Sequence, residues 1–168
     1  QLRVIINKPF KENKMPAMLF IPGYTCTSID ALTNDHPYKR IVDAYVDAGY
    51  VTLRIEKSGL GDSRNTPPCE SCDLLDEVEN FEAGLKKLKT LSYVDTNQII
   101  IVGHSMGGII APAISAKHQV AGVVVYGTVA KSWFEYQLEM YRVQNALSGM
   151  NPIEVEQSVV DQYDLNYR

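Results

Sequence analysis

The sequence predicts an α/β protein: a mostly parallel sheet with helices on both faces, built from strands that alternate with helices. Three observations carry that prediction. Short apolar runs alternate with longer stretches of helical periodicity through most of the chain. The run at 99–102, Ile-Ile-Ile-Val, is continuous rather than alternating, which suits a strand buried on both faces of a parallel sheet. Where that run gives way to a helix stands a Gly-x-Ser-x-Gly pattern, Gly103-His104-Ser105-Met106-Gly107.

Taken in order, residues 2–6 and 17–21 read as two short strands. The charged, Pro-containing stretch 8–16 between them predicts a hairpin-like connection at a sheet edge. The second strand ends in Pro22-Gly23-Tyr24. Residues 35–48 repeat Ile41, Val42, Tyr45 and Val46 at helical spacing, and Gly49 stops the helix. A strand at 50–55 follows, then a loop at 57–72 rich in Gly, Ser and Pro. Residues 74–91 read as a helix with acids early and Lys86, Lys87 and Lys89 late, as the helix dipole favours. In the helix after Ser105, Pro112 deletes the hydrogen bond to the Gly108 carbonyl, which predicts a kink or a shifted helix start. Residues 120–126 form the next strand. Two amphipathic helices close the chain at 132–147 and 152–167, the second opened by Asn151 as cap, Pro152 at its first position and Glu154 as capping-box partner.

Composition narrows the function classes. A hydrophobic content of 45% over 168 residues supports one domain with a sizeable core. The net charge of −4, without a basic run, leaves no electrostatic footprint for nucleic acid or an anionic membrane and points to small substrates. Residues 99–116 carry no formal charge, but their Gly, Ser, His and Pro content reads as strand, turn and helix, so no membrane span is expected. The chain opens on Gln1 rather than Met, which reads as a processed or chosen boundary, and the lack of a visible signal peptide says nothing of location. Cys26, Cys69 and Cys72 are an odd number. Cys69-Glu70-Ser71-Cys72 has metal-knuckle or redox spacing, yet a zinc site needs further ligands and the three His are scattered. Its place after Pro67-Pro68, between acids Glu70 and Asp73, disfavours a thiolate. Plain thiols or one disulfide are expected, with no metal and no cofactor.

Ser105 is the candidate nucleophile. On a sharp strand-to-helix turn the backbones crowd, so the positions two before and two after must be small, and Gly103 and Gly107 meet that need. The Met106 N–H, at the helix N-terminus, is placed to stabilise an oxyanion. A phosphate loop is the competing reading of such a turn, but no Gly-Lys-Ser/Thr occurs and Gly-x-Gly-x-x-Gly is not matched.

At this point the chain resembles an α/β-hydrolase, on three segments in register. Residues 103–108, GHSMGG, are similar to the elbow of the lipase, esterase and serine aminopeptidase branches. FIPGY at 20–24 resembles the family's His-Gly segment, with Pro22 where His is usual. EKSGLGDS at 56–63 resembles its Asp-x-x-Gly-x-Gly-x-Ser loop, with Glu56 for Asp. The resemblance implies a second oxyanion N–H at Tyr24. It also implies residues 1–130 as the N-terminal part of the hydrolase core, with later strands missing, and 131–168 as the start of a helical cap, where Trp133, Phe134, Tyr136 and Tyr141 hint at an apolar lid. In that family the acid and the His follow the Ser in chain order. Nothing after Ser105 fits: His118 ends the helix that follows the elbow, and Asp161 and Asp164 belong to a cap helix. His104 is turned away by the elbow and His36 precedes the first helix. The chain therefore reads as the N-terminal portion of a longer hydrolase, inactive alone. The strand at 120–126 would be an open edge suited to self-association.

In this architecture the loops leaving the strand ends converge, which brings Cys26 and Cys69 together for a possible disulfide. Cys72 would stay odd, and the location would lean to an extracytoplasmic, oxidising compartment. The activity implied is a serine hydrolase cleaving an ester, or a thioester or amide, through an acyl-enzyme on Ser105. The alternatives are a non-catalytic binding module that retains the fold and, further off, a redox or metal domain on the Cys pair.

Overall fold

The computed structural model describes residues 1–30 and 32–166. Five strands, β1 (Val4–Asn7), β2 (Met15–Ile21), β3 (Val51–Ile55), β4 (Val94–His104) and β5 (Gly122–Tyr126), form one sheet in the order β1-β3-β2-β4-β5. All neighbours are parallel except β1, which runs antiparallel to β3 with Val4 opposite Ile55. The helices are α1 (Pro37–Asp47), α2 (Leu74–Lys89), α3 (Gly107–Ser115), α4 (Trp133–Leu147) and α5 (Pro152–Asn166). Tyr167, at the end of the expected last helix, lies outside the described residues.

Alternation along β2 shows how the layers are built. Ala17, Leu19 and Ile21 point into a core with Val78, Phe81, Leu85 and Leu88 of α2 and Ile110, Ala111 and Ile114 of α3. Met18 and Phe20 point the other way, into a smaller cluster with Val42 of α1, bordered by Tyr38, Ile41 and Tyr45. Helices thus cover both faces, and β2, buried from both sides, is apolar at nearly every position.

Three expectations need correction. Residues 8–16 do not make a hairpin: β3 lies between β1 and β2. The linker has only to step across two strand spacings, about 10 Å, which its length permits. β4 starts earlier than 99 because Val94 pairs with Met15, across an irregularity at Pro16 where a proline is tolerated. Of the two outcomes expected of Pro112, a kink or a shifted helix start, the second does not occur: α3 begins at Gly107 and runs through Pro112 to Ser115.

By its internal contacts the chain divides into two compact units, Gln1–Thr128 and Val129–Arg168. In the second, Ser132 caps α4 and forms a capping box with Glu135. Asn151 caps α5 as its sequence predicts: its side chain accepts from the N–H groups of Ile153 and Glu154, and Glu154 accepts from the Asn151 N–H. A two-pronged Arg142–Glu156 ion pair (2.9 and 3.2 Å) and an Asn145–Ser158 hydrogen bond of 2.6 Å join the two helices.

Candidate active site

The site lies in the first unit, at the C-terminal ends of β2 and β4. Ser105 stands on the turn from β4 to α3 with φ of +54°, a left-handed conformation that a residue with a side chain adopts only where its surroundings impose it. The neighbouring glycines supply the constraint. A Cβ on Gly103 would fall 2.1 Å from the Gly107 carbonyl oxygen, and one on Gly107 would fall 2.2 Å from the Ile21 carbonyl oxygen. Strand, helix and the end of β2 are therefore closer than any side chain allows. Two hydrogen bonds pin the turn, Ser105 N–H to the Tyr126 carbonyl (3.1 Å) and Gly108 N–H to the Ser105 carbonyl (2.9 Å). Among the described residues, the Ser105 hydroxyl makes no hydrogen bond.

Gly23 lies against Ser105: a Cβ there would stand 3.3 Å from Ser105 Cβ and 3.6 Å from its Oγ. The Gly23 N–H donates to the Tyr38 hydroxyl (3.3 Å). Tyr24 is exposed, and among the described residues the N–H groups of Tyr24 and Met106 donate to no protein atom. Beside this point opens a cavity of about 360 Å³ walled by the rings of Tyr38, His104 and Tyr126, by Ile29 and Leu32, and by hydroxyls such as Thr27. Among the described residues no Asp, Glu, Lys or Arg lines it. Burial, reinforced by nearby Tyr38, raises the Tyr126 phenol above its ordinary value, so that hydroxyl keeps its proton.

Among the described residues none of the three His hydrogen-bonds Ser105. His104 Nδ1 meets the Tyr38 hydroxyl at 2.7 Å while its ring lies on that of Tyr126, centroids 4.7 Å apart. His36 caps α1, its Nδ1 accepting from the Tyr38 N–H at 3.1 Å. His118 bonds Glu82 at 2.9 Å between α3 and α2. Asp161 accepts from Gln157 within α5. Among the described residues no three His, Cys, Asp or Glu side chains gather in a group that could hold a metal ion, and no helix is long and apolar enough to cross a membrane.

The loops around the site are held from below. Cys26 and Cys69 form a disulfide with Cα atoms 5.7 Å apart, so the segment after β2 is tied to the 3-10 turn Cys69–Ser71. Cys72 keeps a half-buried thiol. Glu56, fully buried, accepts from the Ile29 N–H on the cavity wall (3.3 Å), and Gly61 comes close enough that a Cβ would touch its carboxylate at 3.2 Å. Arg54 donates to the Ile29 carbonyl at 3.2 Å, with burial lowering its pKa, and Lys57 pairs with Glu77 at 3.1 Å in the interior. Sequence reasoning places Lys57 at the start of a loop, with no sign that its ammonium is buried. The buried pair and the Tyr38 bridge to Gly23 and His104 both depend on partners far along the chain, which no local pattern signals.

A parallel sheet between helices, with a strained Ser at the end of a central strand, defines a class, and the comparisons name it. The profile of the alpha/beta hydrolase family matches residues 18–161, and the chain belongs to that family. Among solved structures it is similar to Est1E from Butyrivibrio proteoclasticus with ferulic acid bound (TM-score 0.56, 24% identity, 69% of this chain and 43% of that one). It is also similar to the α/β hydrolase GrgF from Penicillium sp. sh18 (TM-score 0.61, 18% identity, 90% and 57%). A third is the 2,6-dihydroxy-pseudo-oxynicotine hydrolase (TM-score 0.62, 18% identity, 94% and 43%). The chain spans about half the length of these structures. A search among curated proteins found no match.

Proposed function

We propose that the protein is a serine hydrolase that cleaves a small ester, or a thioester or amide, through an acyl-enzyme on Ser105. The observation that carries this reading is the positive φ of Ser105 on a turn crowded by Gly103 and Gly107. On this reading the turn presents the Ser105 hydroxyl to the Tyr24 and Met106 N–H groups, which have no protein acceptor among the described residues. Ser105 Oγ attacks the carbonyl carbon, and the carbonyl oxygen takes up the negative charge between the N–H groups of Tyr24 and Met106. As the C–O bond to the leaving alcohol breaks, the alcohol takes the proton that a base has drawn from Ser105, and water then releases the acid by the same steps reversed. Since His36, His104 and His118 are each engaged elsewhere, the acid and base of the triad belong to sequence following residue 168, and residues 1–168 alone would be inactive. Residues 1–130 then act as the N-terminal part of the core and 131–168 as the start of a cap. The ring-walled cavity, which among the described residues has no Asp, Glu, Lys or Arg in its lining, suits an uncharged acyl or alkyl group. The Cys26–Cys69 bond suits an oxidising, extracytoplasmic compartment. The test is a fluorophosphonate probe on the full-length protein followed by peptide mass spectrometry. The adduct is expected on Ser105 and lost in Ser105→Ala; an adduct on another Ser, or none, refutes the reading.

A further inference from the structure

We propose that Tyr38 is a positioning residue whose hydroxyl fixes the spacing between the two oxyanion donors; the proposal rests on the reading of Ser105 as nucleophile. Tyr38 is itself held firmly. It opens α1 behind Pro37, its N–H is taken by the His36 cap, and its ring meets Phe20 of β2 edge-on at 5.0 Å. The hydroxyl then spans two segments far apart in sequence. On one side it lies 2.7 Å from His104 Nδ1, on the residue before Ser105. On the other it accepts the Gly23 N–H at 3.3 Å, on the residue before Tyr24. In the Nε2–H tautomer of His104 the Tyr38 hydroxyl donates to Nδ1 while it accepts from Gly23, so one oxygen serves both bonds.

The consequence for the site is geometric. Past Ile21, where β2 leaves its ladder with β4, this bond is the one side-chain hydrogen bond to the segment 22–25 among the described residues. It draws the Gly23 N–H away from the reacting centre and leaves the next N–H, that of Tyr24, without a protein acceptor while Gly23 stays against Ser105. Because the same oxygen is anchored on His104, movement of the Gly23–Tyr24 segment relative to Ser105 and Met106 has to break one of its two bonds. A bond of this kind acts on the transition state, where donor placement counts, and leaves initial binding nearly unchanged.

The test follows the rate of Ser105 labelling by a fluorophosphonate in the full-length protein, separating the limiting rate constant from the half-saturating probe concentration. Tyr38→Phe keeps the ring and removes only the hydroxyl. Its limiting rate is expected to fall about tenfold to a hundredfold, with half-saturation within about twofold of the parent. Tyr45→Phe, which removes a hydroxyl from the same helix next to Tyr50 and away from the site, is expected to label as the parent does. His104→Leu removes the other end of the bridge and is expected to match Tyr38→Phe, with the double variant no slower than either, because both cut one linkage. A parental limiting rate in Tyr38→Phe, a change confined to half-saturation, or additive losses in the double variant would overturn the proposal while leaving Ser105 in place. Labelling that persists in Ser105→Ala would instead remove the nucleophile assignment, and the role of Tyr38 with it.

Discussion

A methyl group added at Gly103 or Gly107 would meet backbone carbonyl oxygens near 2 Å rather than the end of a movable side chain. Backbone cannot give way there without parting α3 from the sheet, so Gly103→Ala and Gly107→Ala are each expected to lose about 3 kcal/mol of stability in urea unfolding. A loss under about 1 kcal/mol would show the turn to be looser than the geometry states. Glu82 makes a different prediction. Its hydrogen bond to Lys86, and then that to His118, hold its carboxyl down from 4.5 to about 2. A depressed carboxylate pKa stabilises the fold above the unfolded value, and that contribution drains away as pH falls from 4.5 to about 2. Glu82→Gln should therefore flatten the decline of the thermal midpoint across that window; an unchanged slope would mean the cluster contributes nothing. At this scale the sequence was partly legible. Ser105 and its glycines could be read because the turn is local, and Asn151 could be read as a cap for the same reason. His118 reads as a helix-end cation, but its carboxylate partner on α2 is set by how two helices pack.

At the scale of elements, the caps and one strand carry the testable content. Asn151 satisfies two N–H groups of α5, so Asn151→Ala is expected to cost about 1 kcal/mol, visible as lost helical circular dichroism at intermediate denaturant. In β5, Val123 and Val125 are 37% and 42% exposed and, on the opposite face, Val124 is 46% exposed. An apolar strand left more than a third exposed on both faces and, among the described residues, unpaired along one edge is a template for another chain. Residues 1–168 are expected to self-associate at micromolar concentration, and Val124→Lys to suppress this in sedimentation velocity. A monomeric parent would dispose of the idea. The strands were legible as apolar runs. Their neighbours were not: nothing in residues 2–6 or 17–21 says that a strand from beyond residue 50 enters between them, since pairing is decided by burial of Val4 and Ile6 against the α2 core.

For the molecule as a whole, the disulfide is a covalent constraint between distant parts of the chain. It closes a loop with a sequence separation of 43. On the chain-entropy argument such a closure stabilises by about 4 kcal/mol. Reduction, or Cys26→Ser with Cys69→Ser, should lower the denaturation midpoint accordingly, and a midpoint indifferent to reductant would show that the bond does not form in solution. The proximity of the two cysteines was readable once the α/β architecture was in hand, because loops at one end of a parallel sheet share a rim.

The strand order has a further consequence, for the sequence of assembly. β1 is made first, yet its partner β3 ends only at Ile55, and β2 takes β3 and β4 as neighbours. During synthesis at about 5–20 residues per second, no two neighbouring strands of this sheet are both available until about 2–10 s after β1 is made. Both of the first possible pairs wait for β3, which takes β2 on one edge around α1 and β1 on the other. The first seven residues wait for a partner, so a nascent chain halted before residue 50 would hold two apolar segments with no ladder to enter.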